Sequence, residues 1–210
     1  MLLLVAFLAF ADSKTPSVKL PDLPAPVSKT RFEPNLGRYA EQVQYVAYLG
    51  DGVALFTADS VVDSNGVSVM LYGSHEGSFS ALGMTHTVRQ TVESDGPLYV
   101  PRYTRLIRRN AYPGIDVVYQ FAPDGDLEVH FFLQAEAKLN EIGLSYVGVE
   151  KIEMGKDGSL VLKTMMGKTA QRCPTIHRLL GDRYVTLAVT PRLGSDGVVR
   201  LSGRAVGLGN

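Results

Sequence analysis

The chain has 210 residues, 45% of them hydrophobic and 20% charged, and Lys+Arg 21 against Asp+Glu 21 leaves no formal net charge. Such a chain can build one ordinary globular core without a metal or a disulfide, and Cys173 has no second cysteine to bridge with. The neutral balance lacks the basic footprint that phosphate contacts need, which argues against a nucleic-acid partner, and no apolar run reaches the roughly 20 residues of a membrane-spanning helix.

Met1 to Phe10 is a nearly unbroken apolar run, followed by Ala9-Phe10-Ala11 as an A-x-A site and then by polar Asp12-Ser13-Lys14. This pattern predicts a secretory signal peptide over residues 1–11, although no Lys or Arg precedes the apolar run; the alternative is a buried N-terminal strand. Export implies a secreted or cell-surface location. Pro16, Pro21, Pro24 and Pro26 then mark residues 12–31 as an extended, proline-rich linker, and the folded body is expected from Phe32 to the end of the chain, residues 32–210.

Six Asx-Gly pairs punctuate this body: Asp51-Gly52, Asn65-Gly66, Asp95-Gly96, Asp124-Gly125, Asp157-Gly158 and Asp196-Gly197. Such pairs supply the positive-φ positions of tight turns. Between them lie short runs rich in Val, Leu, Tyr, Phe and Thr, including Val43 to Leu49, Val53 to Thr57, Val67 to Tyr72, Ser159 to Lys163 and Tyr184 to Val189. Helical composition is confined to Gln134 to Glu141. The fold expected is all-β, an antiparallel β-sandwich-like domain of many short strands, in preference to a closed barrel.

One hairpin can be derived residue by residue. In Ala122-Pro123-Asp124-Gly125 the proline suits the second position of a type I turn and the glycine the left-handed position after it, which gives a three-residue loop with a glycine bulge. Phe121 then faces Leu127, Tyr119 faces Val129, Val117 faces Phe131 and Ile115 faces Leu133, so one face is wholly apolar. The other carries Asp116, Val118 and Gln120 beside Glu128, His130 and Phe132.

A catalytic hypothesis starts on that half-polar face. Glu128 falls opposite Gln120, four residues from Asp116, so strand rise alone separates the two carboxylates by roughly 13 Å, beyond the roughly 5 to 9.5 Å of a glycosidase pair. Asp116 and His130 are diagonal neighbours, near enough for an ion pair or a ligand pair; the alternative is a solvated or hydrogen-bonded cluster. Cys173 and His177 are roughly 13 Å apart along a strand, too far for a thiol and its base. His75, His86, His130 and His177 show no zinc spacing, and no cofactor motif is present. Arg102, Arg105, Arg108 and Arg109 form a basic cluster that could grip an acidic glycan, with Tyr99 and Tyr103 for stacking, or could keep an edge strand soluble.

Phe32-Glu33-Pro34-Asn35-Leu36-Gly37, Ala111-Tyr112-Pro113-Gly114-Ile115-Asp116-Val117-Val118-Tyr119, Gly125-Asp126-Leu127-Glu128-Val129-His130-Phe131 and Asp157-Gly158-Ser159-Leu160-Val161-Leu162 occur in that order. Together they resemble the uncharacterised all-β domain that precedes SBBP-type β-propeller repeats in exported bacterial proteins, over about Phe32 to Gly203. The resemblance implies an exported surface or extracellular module with no established enzymatic activity, and it carries no catalytic residues across. With no catalytic geometry in the sequence, the function expected is a non-catalytic binding or structural one, with a glycan, a cell-surface protein or an adjacent propeller domain as partner. Asp116, Glu128, His130, Arg102 and Arg105 are therefore binding candidates, and a secreted hydrolase of glycans or peptides is the alternative.

Overall fold

The computed structural model describes residues 23, 28–50, 52–85, 89–93, 96–155 and 158–205. The expected signal peptide and most of the expected linker lie outside them. Strands β1 (Phe32–Pro34), β2 (Val43–Leu49), β3 (Gly52–Thr57), β4 (Ser60–Val62) and β5 (Ser68–Tyr72) pair in succession. Next come β6 (Ser80–Met84), the separate hairpin of β7 (Arg89–Glu93) and β8 (Gly96–Val100), the long β9 (Tyr103–Tyr112), and the hairpin of β10 (Ile115–Phe121) and β11 (Leu127–Leu133). After a single 3-10 turn at Leu139–Glu141, β12 (Gly143–Val147) returns to pair with β5. The strands β13 (Lys151–Met154), β14 (Leu160–Thr164) and β15 (Gly167–Gln171) form a small sheet of their own. The large sheet is completed by β16 (Thr175–Leu180), β17 (Arg183–Leu193) and β18 (Val199–Ala205).

The order of the large sheet is β1-β2-β3-β4-β5-β12-β18-β17-β16-β11-β10-β9-β6, antiparallel except where β11 meets β16. Its two halves face each other across the core, as a sandwich requires. Phe56 on β3 packs edge-on against Tyr119 on β10 at 5.8 Å, and Phe32 on β1 packs against Phe56 at 5.2 Å and Phe121 at 4.9 Å. None of these strands is a hydrogen-bonded neighbour of the one its ring touches, so side-chain packing rather than ladder pairing joins the walls. Burying each ring is worth about 1.5–3 kcal/mol. The ladder also continues around one side, because Phe32 pairs with Tyr103 of β9.

The β10–β11 hairpin has the expected register at every position, from Phe121↔Leu127 to Ile115↔Leu133. Its loop is the expected one: Gly125 has φ 94°, its N–H donates to Ala122 O, and the Ala122 N–H donates to Asp126 O. Gly66, Gly158 and Gly197 are likewise left-handed, whereas Gly52 is not. Gly52 is the first residue of β3, and the positive-φ glycine of that turn is Gly50, at 41°.

The sequence 101–110 is not an edge strand. β9 is paired along both flanks, with β6 on one side and β10 on the other, and β1 meets it at Tyr103 on the side of β10, since the opposite side of Tyr103 is taken by Met84 of β6. Its arginines do not cluster either. Alternation places Leu106 and Arg108 on the core side and Arg105, Ile107 and Arg109 outside, and a register shift opposite Ile115/Val117 follows only after Arg108. Arg108 turns inward to 1% exposure, donating to Ser74 Oγ at 3.1 Å and to His75 O, while Arg109 stays exposed. Tyr103 packs at 6.4 Å against Tyr45, partly buried on the core, so it forms no exposed stacking platform with Tyr99.

Candidate functional site

The face of β9, β10, β11, β16 and β17 turned away from the core is where the sequence candidates converge. Period-two alternation sends Val117, Tyr119, Phe131, Leu133, Ile176 and Leu187 into the core and leaves the intervening side chains outside. Ile107, Val118 and Phe132 form a second apolar cluster there, packed against Tyr184 and Leu23. Leu23 belongs to the proline-rich segment, and its carbonyl accepts from Arg105 Nη2 at 2.7 Å, so this part of the segment lies against the face.

A chain of hydrogen bonds runs across all five strands beside this cluster. Arg105 Nε donates to Gln120 Oε1 at 3.0 Å, and Gln120 Nε2 donates to Glu128 Oε2 at 3.0 Å. From the opposite direction His130 Nε2 lies 3.5 Å from the same Glu128 oxygen, His130 Nδ1 lies 3.1 Å from His177 Nε2, and His177 Nδ1 lies 3.3 Å from Thr186 Oγ1. The proton positions follow from the acceptors. Ionised Glu128 accepts only, so His130 carries its proton on Nε2 and presents Nδ1 as an acceptor; His177 donates from Nε2 and accepts the Thr186 hydroxyl at Nδ1. One proton per ring completes the chain, with Glu128 receiving from both ends.

Electrostatics agree with neutral rings. Burial pushes His130 below its ordinary value and Arg105 adds to the effect, against the pull of Glu128. Burial, and then the neighbouring His130, bring His177 down to about 4. The rings stack with Phe132: its centroid is 4.6 Å from that of His177, which is 5.4 Å from that of His130.

Of the five candidates, Arg105, Glu128 and His130 come together. Asp116 stands apart: it pairs with Arg109 Nη1 at 2.5 Å and accepts the Asn110 N–H at 2.8 Å, so it forms no pair with His130. Arg102 lies 3.4 Å from buried Glu33 instead. Gln120, His177 and Thr186 complete the chain and are not among the five candidates; in the sequence His177 is weighed only as a base for Cys173 or a zinc ligand, and Thr186 not at all. Gln120 was legible as the residue opposite Glu128, but His177 reaches His130 only through the parallel pairing of strands far apart in the chain. Among the described residues, no group of three or more His, Cys, Asp or Glu side chains could hold a metal ion, and no helix is long and apolar enough to cross a membrane.

This is an all-β domain whose candidate site is an ordered polar chain on the outside of a sheet. The chain belongs to the family described as a domain of unknown function (DUF7948), whose model matches residues 90–200 and so takes in β9, β10, β11, β16 and β17. No curated protein and no solved structure matches it.

Proposed function

We propose that the chain is an exported, non-catalytic module that binds or organises a neighbour at the cell surface. The observation that carries this reading is the commitment of the outer-face groups to one another. Glu128 accepts from two sides, His130 and His177 hold each other, and Asp116 is held by Arg109 and a backbone N–H. Part of the chain's own N-terminal segment packs over the adjacent apolar cluster, as suits a structural face. Export is supported by the apolar run and A-x-A site of residues 1–11, and a place beside β-propeller repeats by the motif order from Phe32 onward.

A hydrolase is the second reading, favoured by the Thr186 hydroxyl 3.3 Å from an imidazole that connects through His130 to Glu128. Basicity weighs against it, because a general base works best with a pKa near the working pH and His177 sits at about 4. The test makes Asp116→Asn, Glu128→Gln and His130→Gln together and screens the variant and the parent chain against glycan and peptide substrates. No turnover by either is expected. Turnover by the parent chain that vanishes in the folded triple variant would establish the hydrolase instead. Fractionation of the native host should find the chain outside the cytoplasm, beginning at Asp12.

A further inference from the structure

We propose that the mouth of the sandwich, under the small β13–β15 sheet, is a binding site for a small apolar molecule carrying one hydrogen-bond donor. This site is on the core side of the sheet and does not rest on the reading of the outer face. A cavity of about 180 Å³ opens there between the large sheet and β14–β15. Its walls are mainly aliphatic, with Ala54, Val69, Leu71 and Leu144 on the large sheet and Leu162 on the small one. An apolar cavity of about 150 Å³ stays dry and takes up benzene, so a space of this size and lining suits a single small ring or a short alkyl chain. Alanine at position 54, 3% exposed, is one reason the space exists: a larger side chain there would project into it.

The polar lining sets the chemistry of the head group. Gln171 borders the cavity, and its Oε1 is a buried acceptor with no hydrogen-bond partner among the described residues. A buried amide oxygen left without a donor is costly, and a turn of the Gln171 amide toward the cavity would let a ligand hydroxyl or amine satisfy it. The charged lining is the Asp63 and Asp126 carboxylates and one guanidinium, that of Arg172, which is held by Asp124 and Asp126. Two carboxylates beside one committed cation disfavour an anionic head. Few polar groups placed around an apolar pocket is the usual arrangement of a small-molecule site. Gln171 and Arg172 also border an adjoining groove of about 490 Å³ that reaches Glu128 and Cys173, which gives the ligand a path in.

The experiment titrates the full chain with benzyl alcohol, toluene and benzoate, reading amide chemical shifts or heat. Benzyl alcohol should bind most tightly, toluene more weakly and benzoate least. Ala54→Phe, which fills the cavity, should abolish binding of all three, and Val69→Phe does the same from a second strand should the first variant fail to fold. Gln171→Leu should weaken benzyl alcohol about fivefold, the worth of one hydrogen bond, and leave toluene unchanged. The proposal is overturned by no binding to the parent chain, by binding that survives both cavity-filling variants, by benzoate binding best, or by a Gln171→Leu chain that still prefers the alcohol as before.

Discussion

His130 and His177 lie 47 residues apart in the chain, yet their ring nitrogens meet at 3.1 Å across the parallel junction of β11 and β16. Their contact fixes both tautomers and joins the β9–β10–β11 side of the sheet to β16 and β17. Only one of the two facing nitrogens can carry a proton, so protonating the acceptor would set two N–H groups against each other.

Acid should loosen this junction, because burial disfavours the charged form of both rings and two charged rings would repel each other. His177 has a folded pKa of about 4 against an ordinary 6.5, so between those values the unfolded chain binds the proton and the folded chain does not. Stability is fully present above about pH 6.5 and is lost as pH falls toward about 4. Discounted for the ring's partial exposure to solvent, the loss should be about 1–2 kcal/mol. Urea midpoints at about pH 7.5 and about pH 4.5 measure it, and His177→Gln, which cannot be protonated there, should flatten the difference.

The β10–β11 turn offers a second measurement. Gly125 sits at φ 94°, and a Cβ built on it meets nothing within 4 Å, so crowding plays no part. Gly125→Val should still cost more than about 1 kcal/mol, because a β-branched residue resists positive φ. Gly125→Asn, which tolerates that region better, should cost less. An unchanged melting temperature in the valine variant would count against this turn.

That hairpin was legible because turn chemistry and alternation specify one register twice over, through Pro123 and Gly125 and through the apolar pairs from Phe121↔Leu127 onward. Strand β2 was legible to the residue as Val43–Leu49 for a related reason, a clean β-rich run with a turn after it. The β11–β16 pairing was not legible, since the chain makes β12 and the whole β13–β15 sheet in between and no local pattern encodes which distant strand fills the place beside β11. Half the candidate site, with His177 and Thr186, depended on that pairing. The arginines of β9 misled for a local reason: alternation places Arg105 and Arg109 on the outer face with Ile107, and Arg108 on the core face with Leu106, so a run of close arginines is not a shared face. The irregularity at Asn110, φ 47°, comes only after Arg108.

The interior end of β9 should be sensitive to base. Burial pushes Tyr112 up to about 12, and Tyr119 and Tyr146 also rise through burial. Each is neutral when folded and ionises more readily when unfolded, so stability is full below about pH 10 and falls as pH rises past it. Of the ten tyrosines, these three should show phenolate absorbance only as the fold is lost. Tyr112 also donates to Gly143 O at 3.0 Å, tying β9 to β12. Tyr112→Phe should cost about 1–2 kcal/mol in a urea melt, because the buried carbonyl loses that donor.

Asp116 separates two kinds of contact in one side chain. Its Oδ2 meets the guanidinium of Arg109, whose side chain is 46% exposed, and its Oδ1 accepts the backbone N–H of Asn110, the left-handed residue at the irregularity in β9. An ion pair open to solvent contributes little, because water screens the attraction and two side chains must be ordered to form it. The backbone bond anchors a residue that would otherwise favour another conformation, and no second carboxylate is given to that N–H. Arg109→Ala should then shift stability by less than about 0.5 kcal/mol, and Asp116→Ala should cost about 1 kcal/mol or more. Asp116→Asn should recover most of the loss, since an amide oxygen accepts the same N–H without the charge. Equal losses from Arg109→Ala and Asp116→Ala would mean that the ion pair, not the backbone anchor, holds this bend.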